Sequence, residues 1–470
     1  MSRIKGQGPV ERSWHLLIAD AALPIREGKI VRSVLRTALI ALTLALLPAQ
    51  AIAATPQSHT PTPSETSSAA AELPQPAPQK AERPNANTAL ASSASSCEKV
   101  RSKLDTLAAE GQRTVACTAP APAHKPSVPE TPATDVTALA DRTPVPLPDW
   151  CYDSSDGDGT WYYNRSHACS IDTLSVDVID TRTGELVGQI YYQTNELVYT
   201  ADDLPTWGHQ VTIRMYGGWG LISGTTVEGA ATCPGPCTLS EADVDFPAQS
   251  VSVGSAPWGE ALPTSTATAA GAIGEAKSTM YWVFNNPSWT QGTDLIGSQV
   301  VVPVRCDNDT KGVSTPGCVF KDYAPVNVVS LSGLYPNYAR HIQDAQASGL
   351  PGAYPDGQPL TRQTNDTTIT SNRRTACPQA SSGGYPRPTG YSCDEYPFAS
   401  THQGAASNPL LGRTFDWCQI STLTSRTGPG WSACMIPATE NTAAGRDDLR
   451  IFYNENRVLE NDAFYVWIVQ

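Results

Sequence analysis

No lysine follows Lys321 in this 470-residue chain, so every strong side-chain cation from there to Gln470 is an arginine. Charge of either sign is scarce, at 16% of residues, and acids outnumber bases 45 to 32 for a net charge of −13. That balance excludes a protein that coats nucleic acid through a basic surface, because phosphate neutralisation draws on Lys and Arg. A nucleic-acid partner would have to be gripped locally, by a few arginines and a bound cation. Long apolar runs are also lacking. The run from Ala38 to Leu47 is far short of the roughly 20 residues that span a bilayer. Cysteine is absent before Cys97.

The start of the chain explains two of these absences together. Lys29, Arg32 and Arg36 precede the apolar run, and Pro48 and Ala51-Ile52-Ala53 follow it. A basic stretch, a short apolar core and an A-x-A site make a secretory signal peptide, here within a long leader over residues 1–53. The protein is therefore expected to be secreted. All twelve cysteines lie beyond that point, and an even count in an exported chain predicts disulfides. A zinc site at Cys233-Pro-Gly-Pro-Cys237 lacks the second ligand pair it would need.

Proline, Ala, Ser and Thr dominate residues 54–148. Such a composition buries too little apolar surface to offset the entropy of ordering, which predicts a disordered spacer. Within it, Val100, Leu104 and Leu107 sit at helical spacing inside the Cys97–Cys117 loop. This reads as a disulfide-clipped helix or as a local excursion.

Residues 149–325 have a different texture. Leu174–Ile179, Gln189–Gln193, Val211–Met215, Val251–Val253, Met280–Phe284 and Val300–Val304 are short β-branched and aromatic runs. Turn residues such as Thr183-Gly184 and Gly217-Gly218 separate them, the pattern of an antiparallel sandwich or barrel. Its Trp and Tyr residues fit core packing or a carbohydrate platform.

Chemistry concentrates in residues 326–470. A helical pattern runs from Tyr338 to Ser348, and a polar loop holding Arg362, Arg373 and Arg374 leads to Cys377. Then come Cys393-Asp-Glu-Tyr-Pro-Phe-Ala-Ser400, the segment Asn441 to Gly445, an amphipathic pattern through Leu449, Ile451 and Phe452, and a last strand ending at Val469. With Arg340-His341-Ile342 upstream, these strings resemble the NucA/NucB family of extracellular bacterial deoxyribonucleases. The resemblance covers about the last third of the chain.

The resemblance implies a ββα-metal-like nuclease as the C-terminal domain; with the β-rich, sandwich-like domain and the spacer read above, the expected fold class is α+β. The resemblance also implies DNA as substrate, little sequence preference, and Mg²⁺ or Mn²⁺ as cofactor. On it, Glu395 is the general base and Asn441 the metal-binding residue. Asp394 orients the base or binds the metal through water. Because neighbours on an extended strand point to opposite faces, only one of Asp394 and Glu395 is expected to face the metal. Arg446, Arg450 and His341 are candidates for substrate contact. Each has an alternative role: Asn441 as a helix cap, His341 as a packed core residue, and the arginines as partners of Asp447, Asp448 or Glu455. A long insertion between Glu395 and Asn441, with Trp417, Cys418 and Cys434, departs from the compact family pattern. Thr442 also stands where compact members carry a basic residue. An inactive nuclease-like domain on a secreted envelope or adhesion protein is the competing reading.

Overall fold

A computed structural model describes residues 73–81, 90–126, 143–290 and 292–470 of the chain. The leader expected over residues 1–53 lies outside them. The architecture is α+β and mostly strand, and no described helix is long and apolar enough to cross a membrane.

The elements that matter begin with helix α1 (Leu90–Arg101) and strand β1 (Thr114–Pro120). Strands β2 (Asp158–Tyr163), β3 (His167–Asp180), β4 (Leu186–Tyr199) and β5 (Gly208–Gly220) follow. Next come β6 (Thr226–Thr232), β7 (Trp258–Ala261), β8 (Thr279–Asn285), β9 (Ile296–Gln299) and β10 (Val304–Asp307). Strands β2 to β5 and β7 are neighbours in one antiparallel sheet, and β1 pairs with β3. A second sheet contains β6, β8 and β9.

Residue alternation makes this a sandwich. On β3, Val176 and Val178 turn inward while Ser175 and Asp177 take the opposite face. The inward residues meet Tyr192, Ile213, Trp282 and Phe284 in one core. Strand β1 and the Cys97–Cys117 disulfide lie inside the stretch expected as spacer. Its ordered part survives because Val115 and Cys117 bury against Ile179, which the proline-rich composition around it conceals. The Gly217-Gly218 pair, read as a turn, instead continues β5, where the register shifts opposite Tyr191. Val251–Val253, read as a strand, follows a two-residue strand at Gln249–Ser250.

The C-terminal elements are β11 (Val326–Ser330), α2 (Pro336–Ala347), β12 (Leu360–Thr361) and α3 (Asp366–Ala376). Then come β13 (Tyr391–Tyr396), β14 (Gly412–Arg413), β15 (Trp431–Pro437), α4 (Ala438–Ala443), α5 (Arg450–Glu455) and β16 (Ala463–Val469). A single π-type turn, Ala444–Leu449, joins α4 to α5. Strand β16 pairs parallel with β11, and β13 pairs antiparallel with β15. Helix α2 buries Tyr338, His341 and Ile342 against β13 and β16 residues such as Tyr396, Phe464 and Val466. Among the described residues all twelve cysteines are paired, each with its neighbour in sequence. Cys233 and Cys237 are therefore a disulfide and not a zinc site.

The α3 stretch was expected to be a polar loop. It is helical because Asn365 caps it, accepting from the N–H groups of Thr367 and Thr368. Asn372 then ties it to the carbonyls of Ala399 and Thr401.

The sandwich and the C-terminal elements share a buried ionic network. Arg457, just beyond α5, is fully buried. Its guanidinium donates to Asp307 Oδ1 at 2.8 Å and Oδ2 at 3.1 Å. Arg305 and Arg165 converge on Asp462 at 2.8 and 3.1 Å. Arg457 adopts φ +43°, a conformation costly for a non-glycine residue. The bonds its side chain makes offset that cost.

Candidate active site

Glu395 and Asn441 both reach Cys393 and its strand. Glu395 lies two residues beyond Cys393 on β13, so the two side chains share a face. Cys393 is bonded to Cys377, the residue that ends α3. The Glu395 carboxylate rests 3.7 Å from Cys377 Sγ. Asn441, on α4, donates from Nδ2 to the Cys393 carbonyl at 3.1 Å and to Ser392 Oγ at 3.0 Å. A carbonyl only accepts, so this pairing fixes which end of the amide is the NH₂. No hydrogen bond to its Oδ1 is present among the described residues. Asn441 does not cap α4, whose N-cap position is Pro437.

Glu395 is half-buried, and its pKa is pushed up to about 7. Loss of hydration is the largest cause and the charge of Asp394 the second; Arg373 and the Ala399 N–H act in the opposite direction. A carboxyl near 7 is far better matched to proton abstraction at neutral pH than an ordinary one near 4.3.

Asp394 takes the other face of β13. It is buried, and its Oδ2 lies 2.6 Å from His341 Nδ1. His341 Nε2 meets Ser432 Oγ at 2.9 Å. His341 is completely buried, which corrects its expected substrate contact: a side chain enclosed by β13, β15 and Phe415 does not reach DNA. Asp394 likewise faces the core through His341 and acts on Glu395 by its charge.

The two arginines expected at the phosphate stand differently from each other. Arg446 is exposed and neutralised by Asp447, 2.5 Å away. Arg450 is exposed, and its Nε donates to the Arg446 carbonyl at 3.2 Å. Sequence reasoning assigned no role to Arg373, the cation whose field reaches Glu395. Sequence carried no sufficient signal for it, because the Cys377–Cys393 disulfide that brings Arg373 near β13 is fixed only by the fold. Glu440, left without a role, accepts from Asn337 Nδ2 and the Tyr338 N–H, bracing α4 against the start of α2.

The long insertion folds onto the same sheet. Strand β14 pairs parallel with β15, and Cys418 bonds Cys434. Trp417 donates to Asp344 and carries the Arg340 guanidinium 4.4 Å above its ring.

A carboxyl raised to about 7, a cation in its field and an amide bonded to the same strand thus lie around β13. Residues 353–467 match the family model described as Deoxyribonuclease NucA/NucB, which places a domain of that kind in the C-terminal third. No curated protein and no solved structure matches the chain.

Proposed function

We propose that the protein is a secreted endodeoxyribonuclease that hydrolyses DNA phosphodiester bonds with little sequence preference, using Glu395 as general base and Mg²⁺ or Mn²⁺ held through Asn441. The observation that carries this reading is a carboxyl raised to about 7 on β13 together with an α4 amide that grips the same strand at the Cys393 carbonyl. The family match over residues 353–467 supplies the substrate class. The order β13, β15, α4 fits a ββα arrangement. The six disulfides fit an oxidising, extracellular setting.

Among the described residues no three His, Cys, Asp or Glu side chains form a metal cluster. The donors present suit a hard cation of the Mg²⁺ kind, which keeps most of its waters and takes one or two protein oxygens with substrate phosphate. When bound, such an ion neutralises the scissile phosphate and stabilises the leaving oxygen.

The remaining work falls to side chains of this chain. Glu395 takes the proton of the attacking water, and its partial burial keeps the base form reactive at neutral pH. Arg373 offers a guanidinium to the phosphate. Arg450 supplies a second, weaker contact, while Arg446 must first leave Asp447. Asp394 and His341 hold β13 in place from the core side.

The test is plasmid relaxation by the full secreted chain. Chelation should abolish nicking, and Mg²⁺ or Mn²⁺ should restore it. Nicking at an undiminished rate under chelation overturns the metal role. Absence of nicking in either metal favours the inactive, adhesive reading.

A further inference from the structure

The sandwich carries an aromatic surface that the nuclease reading does not use. Tyr216 is 43% and Trp219 is 46% exposed, and they are the only exposed Tyr or Trp side chains between residues 143 and 325 among the described residues. Both lie on β5, and they flank Tyr191 of β4. The Tyr216 ring is near-parallel to Tyr191, with centroids 6.2 Å apart, and to His124, with centroids 5.5 Å apart. Tyr191 is half-buried beneath this pair, so the exposed aromatic surface is that of Tyr216 and Trp219.

The rings are also fixed in advance. Gln189 Oε1 accepts from the Tyr191 hydroxyl and from Trp219 Nε1, while Gln189 Nε2 donates to Asp177 Oδ1 at 2.8 Å. Asp177 accepts further from Ser175 at 3.3 Å. Gly217 lies opposite Tyr191 in the β4–β5 register. A β-carbon at 217 would already touch Tyr191 at 3.6 Å, so any larger side chain there would cover the ring.

From this surface we infer a binding site for a neutral polysaccharide on the sandwich. Rigid Tyr and Trp rings offer large contact area at low entropic cost, and the C–H faces of sugar rings pack on aromatic faces. Half-buried Gln189 and the Tyr191 hydroxyl lie at the edge of these rings, where sugar hydroxyl groups can be met, while Asp177 and Ser175 brace them from below. Single-stranded DNA also stacks on aromatics, but it requires a cationic track for its backbone. Residues 149–325 hold 21 Asp and Glu against 7 Lys and Arg, and at the platform itself Arg101 is 3.9 Å from the Asp177 carboxylate, which offsets its charge. The charge therefore favours an uncharged chain over a phosphate chain.

The full chain can be run through native gels containing hydroxyethylcellulose, dextran, glycogen or mannan, with Tyr216→Ala, Trp219→Ala and Trp219→Phe beside it. Retardation of the wild type is expected in at least one gel. Affinity should fall at least tenfold in each alanine variant and stay within about threefold in Trp219→Phe. Plasmid nicking and unfolding temperature should be unchanged, since both side chains are exposed. No retardation of the wild type in any gel overturns the proposal. So does equal retardation of the alanine variants, or binding of a (dT)₂₀ oligonucleotide that those variants abolish.

Discussion

His341 Nδ1 and Asp394 Oδ2 meet at 2.6 Å inside the C-terminal core, one residue away in sequence from the proposed base. The pair faces away from Glu395, yet the Asp394 charge is one of the two causes that raise the Glu395 pKa. Asp394→Asn keeps an acceptor for His341 and removes the charge. The acid limb of the nicking rate should then move to lower pH by roughly 0.5–1.5 units, the size of a screened carboxylate–carboxylate interaction. A pH–rate profile under saturating metal reads this. An unmoved limb would show that the two carboxyls do not communicate.

The raised Glu395 pKa carries a stability cost with a definite sign. The folded pKa of about 7 lies above the ordinary carboxyl value near 4.5. Between those values the folded protein holds a proton that the unfolded chain has released, so stability falls as pH rises through that window. Below the window both states are protonated and the cost vanishes. Glu395→Gln should therefore be more stable than wild type at pH 8, by up to about 3 kcal/mol, and nearly equal to it at pH 4. Denaturant unfolding at the two pH values measures the difference. Equal gains at both would place the cause elsewhere than in ionisation.

Arg457 and Asp307 make the sandwich and the nuclease elements depend on each other. Both side chains are fully buried, and the backbone holds Arg457 at the end of the helical segment that begins with Asn441's helix. Asp307→Ala leaves Arg457 and Arg305 without their shared carboxylate, at a cost of about 3–5 kcal/mol for a broken buried pair. The variant should unfold earlier and lose nicking at temperatures where the wild type is active. Calorimetry of the wild type should show both parts unfolding in one transition. Two well-separated transitions would mean that the network does not couple them.

Sequence pattern revealed the strands best where apolar and polar residues alternate, as from Leu174 to Ile179, and where the string Cys393 to Ser400 carries its own signature. It also revealed that Asp394 and Glu395 oppose each other, because that follows from strand geometry alone. Helix α3 was not legible, since its Thr and Ser content matches a loop and its order comes from the Asn365 cap and the Asn372 bonds to residues far along the chain. Strand β1 hid among prolines for the same reason: its stability is supplied by β3. The burial of His341 depends on how α2 packs against β13 and β15, and a lone histidine at helical spacing does not say which face it takes. Arg457 is illegible in principle, because its partner lies 150 residues away.

In the proposed reaction Glu395 and Asn441 divide the labour around one cation, the first moving a proton and the second holding the ion. The rate of plasmid nicking against Mg²⁺ concentration, for wild type, Glu395→Gln and Asn441→Ala, separates these roles. Glu395→Gln should lose about 10²–10⁴-fold in rate at every Mg²⁺ concentration, the usual worth of a general base. Asn441→Ala should need at least tenfold more Mg²⁺ to reach half its maximum, in keeping with loss of a group that secures a metal. A wild-type rate from Glu395→Gln, or an unshifted Mg²⁺ midpoint in Asn441→Ala, would rule out this division of roles.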